Sequence, residues 1–553
     1  MELLRWRAAK IGDKRGFTYV EDGERKETHL TYSELDVRAR MVAAQLQQIA
    51  HARHGERAIL LYPPGLDALP AFFGCQYAGV VAVPVIPPRP GQPPRDILAI
   101  AKDSQPRMLL TSTCMLPVAQ TLAGMIPDII VITTDTLELA LADAWQPPQV
   151  NPDDLAFLHF TSGSTKAPRG IMFDHRRVLA LLYTQAAIIQ DNWATLVSWA
   201  PLYTGMGLFG GAIEPLQLGV QAVMMSPLDF STKPARWLHL IARYPQVLSG
   251  GPNFCFQLLV DRVTPAECEG LDLSSWVLMH CGAEPIRERT LSAFAAKYAP
   301  YGLSADAFLT TYGLSEAMMS VSTRLGPVQA LTLDRVEMEK RHVKRLAKGN
   351  PAGQLFVNCG KPYEGETVTI VNPDTLLPAG PDEIGEIWVS GPNILAGYWR
   401  QPAETEAVFG AHMADGSGPY LRTGDLGFVQ DGGLYITGRA KDVIILHGRN
   451  IYALDIEQSA ELAHPALQQA ASAAFGITEN DEEHLVLVME VKASVSNPDM
   501  DEIAHAVRRA IAEDHQLPVH SVALVEANSI PRTTSGKVQR YKARESFLEQ
   551  MAA

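Results

Sequence analysis

Cysteine is scarce in this chain and forms no pattern. Six occur among 553 residues, Cys75, Cys114, Cys255, Cys268, Cys281 and Cys359, with no CxxC pair. That spacing argues against a zinc site and a disulfide framework, and predicts reduced, mostly buried thiols. No apolar run is long enough to span a bilayer, so membrane insertion is not expected. The first residues, MELLRWRAAK, lack the apolar core of a signal peptide, and the expected location is cytoplasmic. A basic excess is missing too: the formal net charge is −14, which excludes nucleic acid and anionic membranes as the main partners. The length exceeds what one core can organise, so at least two domains are expected.

What the chain does contain centres on Phe160–Gly170, FTSGSTKAPRG. Thr161, Ser162, Ser164 and Thr165 supply hydroxyls, Gly163 and Gly170 backbone freedom, and Lys166 and Arg169 positive charge. LAFLHF before it reads as a buried strand, and IMFDHRRVLALLYTQAAII after it has helical spacing. A loop of this composition can turn N–H groups, hydroxyls and cations toward one phosphate. It is not a Walker loop, because Pro168 stands where that motif needs glycine.

Elsewhere strands and helices alternate. HLTYSELDVRARMVAAQLQQIA is a capped amphipathic helix, RAILLY, VVAVPV, RMLLTS and DIIVITT are strands, and LDALPAFFGCQYAG and PRDILAIAKDSQP are helices. The pattern is α/β, with mostly parallel sheets covered by helices. PPRPGQPP is a stiff surface connection. Gly205, Gly207 and Gly210 spell GxGxxG, but Pro201 and Tyr203 separate the strand TLVSWA from the first glycine, so the dinucleotide reading is set aside. The stretch 329–353 is charged and helical in flavour. HLVLVMEVKA, EIAHAVRRAIAEDH and SVALVEA add a strand, a helix and a strand near the C-terminus.

FTSGSTKAPRG resembles the phosphate loop of the adenylate-forming superfamily, with Lys166 for a glycine and Arg169 for the usual lysine. PLYTGMGL (201–208), SGGPNF (249–254), CGAEP (281–285), TYGLSE (311–316), RTGDLG (422–427), GRAKD (438–442) and IPRTTSGK (530–537) follow in the family's order. Together they cover almost the whole chain and are most similar to the fatty acyl-AMP ligases. The resemblance implies a large N-terminal domain over 1–438, with an insertion near 329–353, and a small mobile α+β C-terminal domain over 439–553. It implies ATP and Mg²⁺ as cofactors, with Lys537 and Glu316 catalytic and Glu316 also holding the metal. Nucleotide contacts would come from Thr161, Ser162, Gly163, Ser164, Thr165, Arg169, Gly282, Ala283, Glu284, Pro285, Thr311, Tyr312, Gly313, Asp425 and Arg439. Met206, Gly207, Gly250, Gly251 and Asn253 would line the substrate pocket, and Lys441 would be the hinge. The implied partners are a fatty or related carboxylic acid and an acyl carrier protein with its phosphopantetheine arm. Thr204 and Gly205 replace a usual His and Asp, so no carboxylate is available at Gly205 for an α-ammonium, which disfavours amino acids. Two other readings stay open: an acyl-coenzyme A ligase, and an adenylate-binding protein without catalysis, motivated by Thr204, Gly205 and Lys166.

Overall fold

The computed structural model describes residues 2–48, 50–88, 93–161, 168–189, 194–446, 449–467, 470–479, 482–493, 495, 497–532 and 538–552. Among them, the apolar runs assemble into a nine-stranded and a six-stranded sheet and four smaller ones. At the centre of the larger sheet, Phe308–Tyr312, Trp276–Cys281, Val247–Gly251, Thr195–Ser198, Gln221–Met225 and Arg15–Val20 run parallel. Parallel strands are buried on both faces and read as continuous apolar runs. Because they are parallel, Gly250, Cys281 and Tyr312 reach the same edge, where open α/β sheets bind ligands. The six-stranded sheet is parallel from Ile130–Thr133 through Leu155–Thr161, and Arg169–Asp174 closes it antiparallel.

Local chemistry explains the element ends. Glu34 Oε2 accepts from Thr31 N at 2.8 Å, while Glu34 N donates to Thr31 Oγ1 at 3.2 Å. This reciprocal pair starts the helix Tyr32–Gln48 as a capping box. Gly79, at φ 68°, ends the helix Ala68–Ala78 in the left-handed conformation that glycine adopts without strain. All six cysteines are free and all but Cys114 are buried, as expected, and no helix among the described residues is long and apolar enough to cross a membrane.

Two expectations differ from the structure. After the phosphate loop the chain forms the strand Arg169–Asp174 before the helix His175–Ile189. Ile171 and Phe173 are fully buried, and Phe173 stacks on Phe157 with ring centroids 4.4 Å apart. This sheet burial outweighs the helical spacing, and the loop therefore joins two antiparallel strands and opens no helix. The stretch 329–353 carries more strand than helix: Ala330–Asp334 pairs with Arg345–Leu346 and Gly353–Val357, with a short helix, Arg335–Glu339, between. The charges misled the reading; Leu333, Met338, Val343 and Phe356 are the buried positions, packed with Phe428 and Tyr435.

Thr367–Val371, Gly385–Ser390, Leu421–Gln430 and Gly433–Arg439 form a four-stranded antiparallel sheet. Beyond Arg439 a short turn, Ala440–Asp442, leads to the strand Val443–Leu446. Residues from Ile444 to Val519, including Ile456, Leu487, Val507 and Ile511, bury a cluster of their own.

Candidate functional site

The strand ends open on a cleft of about 3140 Å³. Its wall includes Met206, Gly250, Asn253, Ala283, Glu284, Pro285, Thr311, Tyr312, Gly313, Glu316, Asp425, Arg439, Lys441 and Arg169. Segments far apart in sequence thus meet in one place. Three predicted glycines stand behind the wall. A Cβ on Gly207 would lie 2.1 Å from the Pro201 carbonyl oxygen, one on Gly282 2.8 Å from that of Thr311, and one on Gly251 2.8 Å from Trp199. They permit close backbone packing and leave ligand contact to their neighbours. Ser162, Gly163, Ser164, Thr165, Lys166 and Lys537 lie outside the described residues, and Thr161 ends the strand Leu155–Thr161.

The most constrained group is Asp425. Register pairs it with Arg439 on the neighbouring strand, and Arg439 Nε lies 3.2 Å from Asp425 Oδ1. Tyr312 Oη donates to Asp425 Oδ2 at 2.8 Å. Burial, and then the Asp425 charge, push the Tyr312 phenol well above its ordinary value. The Asp425 charge raises Arg439 in turn, against the cost of burial. The hydroxyl and the guanidinium therefore both stay protonated.

Glu316 sits on the turn Ser315–Ala317, just past the end of the Tyr312 strand. Tyr398 Oη donates to Glu316 Oε1 at 2.8 Å. The other carboxylate oxygen has no protein hydrogen bond among the described residues, and a half-used carboxylate of this kind fits a magnesium ligand. Arg169 lies over the Tyr398 ring, 5.2 Å from its centroid, and pairs with Glu404 at 2.7 Å. Tyr398 and Glu404 fall within GEIWVSGPNILAGYWRQPAETEAVF (385–409), and nothing in the spacing of that segment predicts that they flank Arg169 and Glu316.

On the adjoining side, Thr204 Oγ1 accepts from Gly207 N at 3.2 Å and caps the helix that begins at Gly205. Met206, Phe209, Gly210 and Glu214 line the cleft from that helix. Gly205 is packed against Met319: a Cβ there would lie 2.3 Å from the Met319 methyl. The Gly250 Cβ would lie 2.0 Å from the His280 carbonyl oxygen. Asn253 is anchored, accepting from Arg287 N at 3.0 Å, and Glu284 Oε1 accepts from Phe254 N at 2.6 Å. Burial lowers His159 and His280 to about 4, so both are neutral at pH 7.

Lys441 lies on the Ala440–Asp442 turn; burial, then Arg439, lower its ammonium. Its neighbour Asp442 accepts from Arg540 at 2.7 Å, and Arg540 also forks onto both oxygens of Glu457, each at 2.6 Å. Arg532 and Val538 form an isolated bridge, so the chain on either side of 533–537 comes together beside this network.

A family model described as AMP-binding enzyme matches residues 4–399. The chain belongs to this family, in its fatty acyl-AMP ligase branch. A second model, Disco-interacting protein 2-like AMP domain, matches residues 441–553. Medium-chain-fatty-acid–acyl-carrier-protein ligase JamA of Moorena producens (strain JHB) is 40% identical, over 99% of this chain and 95% of its own. A fatty acyl-adenylate ligase from L. pneumophila, solved with acyl adenylate and pyrophosphate, has a TM-score of 0.77 at 36% identity, covering 99% of this chain and 95% of that one. A structure from work on fatty acyl-adenylate ligases from E. coli and L. pneumophila reaches 0.88 at 30% identity, covering 100% of this chain and 98% of that one.

Glu214 has a measurable consequence. Burial raises its carboxyl from 4.5 to about 7. The unfolded chain ionises first, so the native state is penalised progressively as pH rises from about 4.5 to about 7, and constantly above that. Glu214→Gln should therefore gain stability over the parent at about pH 8 and almost none at about pH 4, read from urea unfolding midpoints at the two pH values.

Proposed function

We propose that the chain joins a fatty or related carboxylic acid to ATP, forming acyl-AMP and pyrophosphate, and passes the acyl group to the phosphopantetheine thiol of an acyl carrier protein. The observation that carries this reading is the meeting, in one cleft, of the Tyr312–Asp425–Arg439 set, Glu316 and the wall formed by Met206, Phe209 and Gly210. The name of the JamA relative, an acyl-carrier-protein ligase, supports the thiol acceptor.

On this reading the substrate carboxylate attacks the α-phosphorus in line and pyrophosphate leaves. The protein positions the partners and offsets charge; no side chain becomes a covalent nucleophile. Asp425 accepts from the ribose hydroxyls beside Arg439, and the Tyr312 ring faces adenine together with Ala283, Glu284, Pro285 and the backbone of Thr311 and Gly313, for which Gly282 provides close packing from behind. The hydroxyls of the phosphate loop, with Arg169, hold the β- and γ-phosphates, for which Arg169 exchanges Glu404 for phosphate oxygens. Glu316 holds Mg²⁺, which neutralises phosphate charge when bound. Lys537 offsets the charge at the attacking carboxylate and α-phosphate. The segment beyond Arg439 then turns about Lys441, withdrawing Lys537 and opening a path for the thiol.

The 329–353 segment supports a restraint on that turn. Glu339 holds Arg449 through two bonds of 2.7 Å and accepts from Asn450 through its carbonyl at 3.0 Å. On its other side Arg341 pairs with Asp374 and Lys348 with Glu288. The segment thus clasps residues on both sides of the hinge position, and release by free coenzyme A lacks the docking energy a carrier protein brings.

Three outcomes test the reading. Lys537→Ala should slow acyl-AMP formation by about 10²–10³, the worth of a cation aimed at developing charge, with ATP affinity nearly unchanged; normal adenylation would remove Lys537 from the mechanism. Asp425→Ala should weaken ATP binding at least about tenfold, since charge-assisted bonds are worth about 1.5–3 kcal/mol each; unchanged calorimetric affinity would put the ribose elsewhere. Glu339→Ala with Arg449→Ala removes a half-buried pair worth roughly 1 kcal/mol, leaving acyl-AMP formation intact and letting some acyl-coenzyme A appear. If the parent enzyme already makes acyl-coenzyme A efficiently, the ordinary coenzyme A ligase is the better description.

A further inference from the structure

Glu214 stands in the wall of the acyl pocket and has no part in the chemistry above. It follows Met206 by eight residues along a helical stretch, Gly205–Leu218, interrupted by the π turn Phe209–Ile213. At the usual helical rise, that puts it about 12 Å further along the helical stretch than Met206. Met206, Phe209 and Gly210 share its face on the cleft. The surrounding wall is largely apolar, with Leu196 and Leu248 among its residues. Among the described residues, no hydrogen bond or ion pair reaches the Glu214 carboxyl. The hydroxyl of Tyr363, which senses the Glu214 charge, is engaged with Ser320 Oγ at 2.6 Å.

A half-buried carboxyl with no partner among the described residues is expensive. Several buried carboxylates are paired, Glu457 with Arg540, Glu386 with Arg422 and Glu490 with Arg532, and Asp455, whose Oδ1 lacks a partner, is not on the cleft wall. Glu214 keeps its bonding capacity and presents it to the pocket. We propose that Glu214 selects acids whose chain carries a hydrogen-bond donor, a hydroxyl or an amine, well removed from the reacting carboxylate. This rests on the adenylation reading and deepens it. A plain methylene chain drawn past Glu214 strips water from the carboxyl and returns nothing, whereas a donor restores the lost bond. Sites built to bond a substrate hydroxyl or amine discriminate by orders of magnitude against analogues that lack it. The selectivity is for a distal donor, since Gly205, near the reacting end, offers no carboxylate to an α-ammonium.

The test uses the full-length enzyme and acid-dependent exchange of pyrophosphate into ATP. Unsubstituted, ω-hydroxy and ω-amino acids are compared at several chain lengths, which moves the donor through the pocket. At one length, kcat/KM for a donor-bearing acid should exceed that for the plain acid by at least about tenfold. Glu214→Leu should reverse the preference, and Glu214→Gln should keep the hydroxyl preference while losing the amine. Unchanged ATP affinity in both variants, by calorimetry, confirms that the fold holds. A parent enzyme that favours the plain acid at every length, or a Leu variant with an unaltered ratio, overturns the proposal. If the parent enzyme gives no exchange with any acid, the adenylation reading fails instead. Calorimetric affinities of the same acids for the parent and the Leu variant then decide Glu214 by the same ratio.

Discussion

A buried carboxylate between two donors holds the candidate site together. Asp425 belongs to the four-stranded sheet, Tyr312 ends a strand of the nine-stranded one, and Arg439 precedes the turn that carries Lys441. One charge therefore ties the two sheets together next to that turn. Such a group persists only if its partners are in place, because losing one leaves an uncompensated charge in a dehydrated setting. Both donors keep their protons, so the arrangement holds over the ordinary range of pH.

The pocket beyond it depends on close packing more than on charge. Gly207, Gly250 and Gly313 are positions where a Cβ would come within 2.1 Å of a carbonyl oxygen of neighbouring backbone. Strand, turn and helix can approach only because nothing projects there. His159 and His280 are held neutral by burial. Glu214 brings to the same wall a carboxyl with no partner among the described residues.

Much of this was legible in the residues. Apolar runs punctuated by Gly and Pro marked the strands, and the Thr31–Glu34 spacing marked a helix start that the structure builds from two reciprocal bonds. CGAEP, TYGLSE and RTGDLG were recognisable by their resemblance to the family's segments, and all three contribute to the cleft wall. The errors share a cause. RGIMFD and the 329–353 segment were read by local spacing and charge, while their conformations follow from sheet partners that only the assembled chain supplies. Phe173 is a strand residue because Phe157 lies against it, and Leu333 because Phe356 and Phe428 do.

By itself, the sequence determined the α/β class, the order of the segments and the kind of groups available to a nucleotide, because these depend on composition and on spacing over a few residues. The tertiary structure alone decided which groups are free. It engages Tyr398 with Glu316, occupies Arg169 with Glu404, sets Gly207, Gly251 and Gly282 behind the wall, and leaves Glu214 on the cleft wall without a partner among the described residues. Pairing and desolvation arise between residues tens to hundreds of positions apart, and no local pattern encodes them.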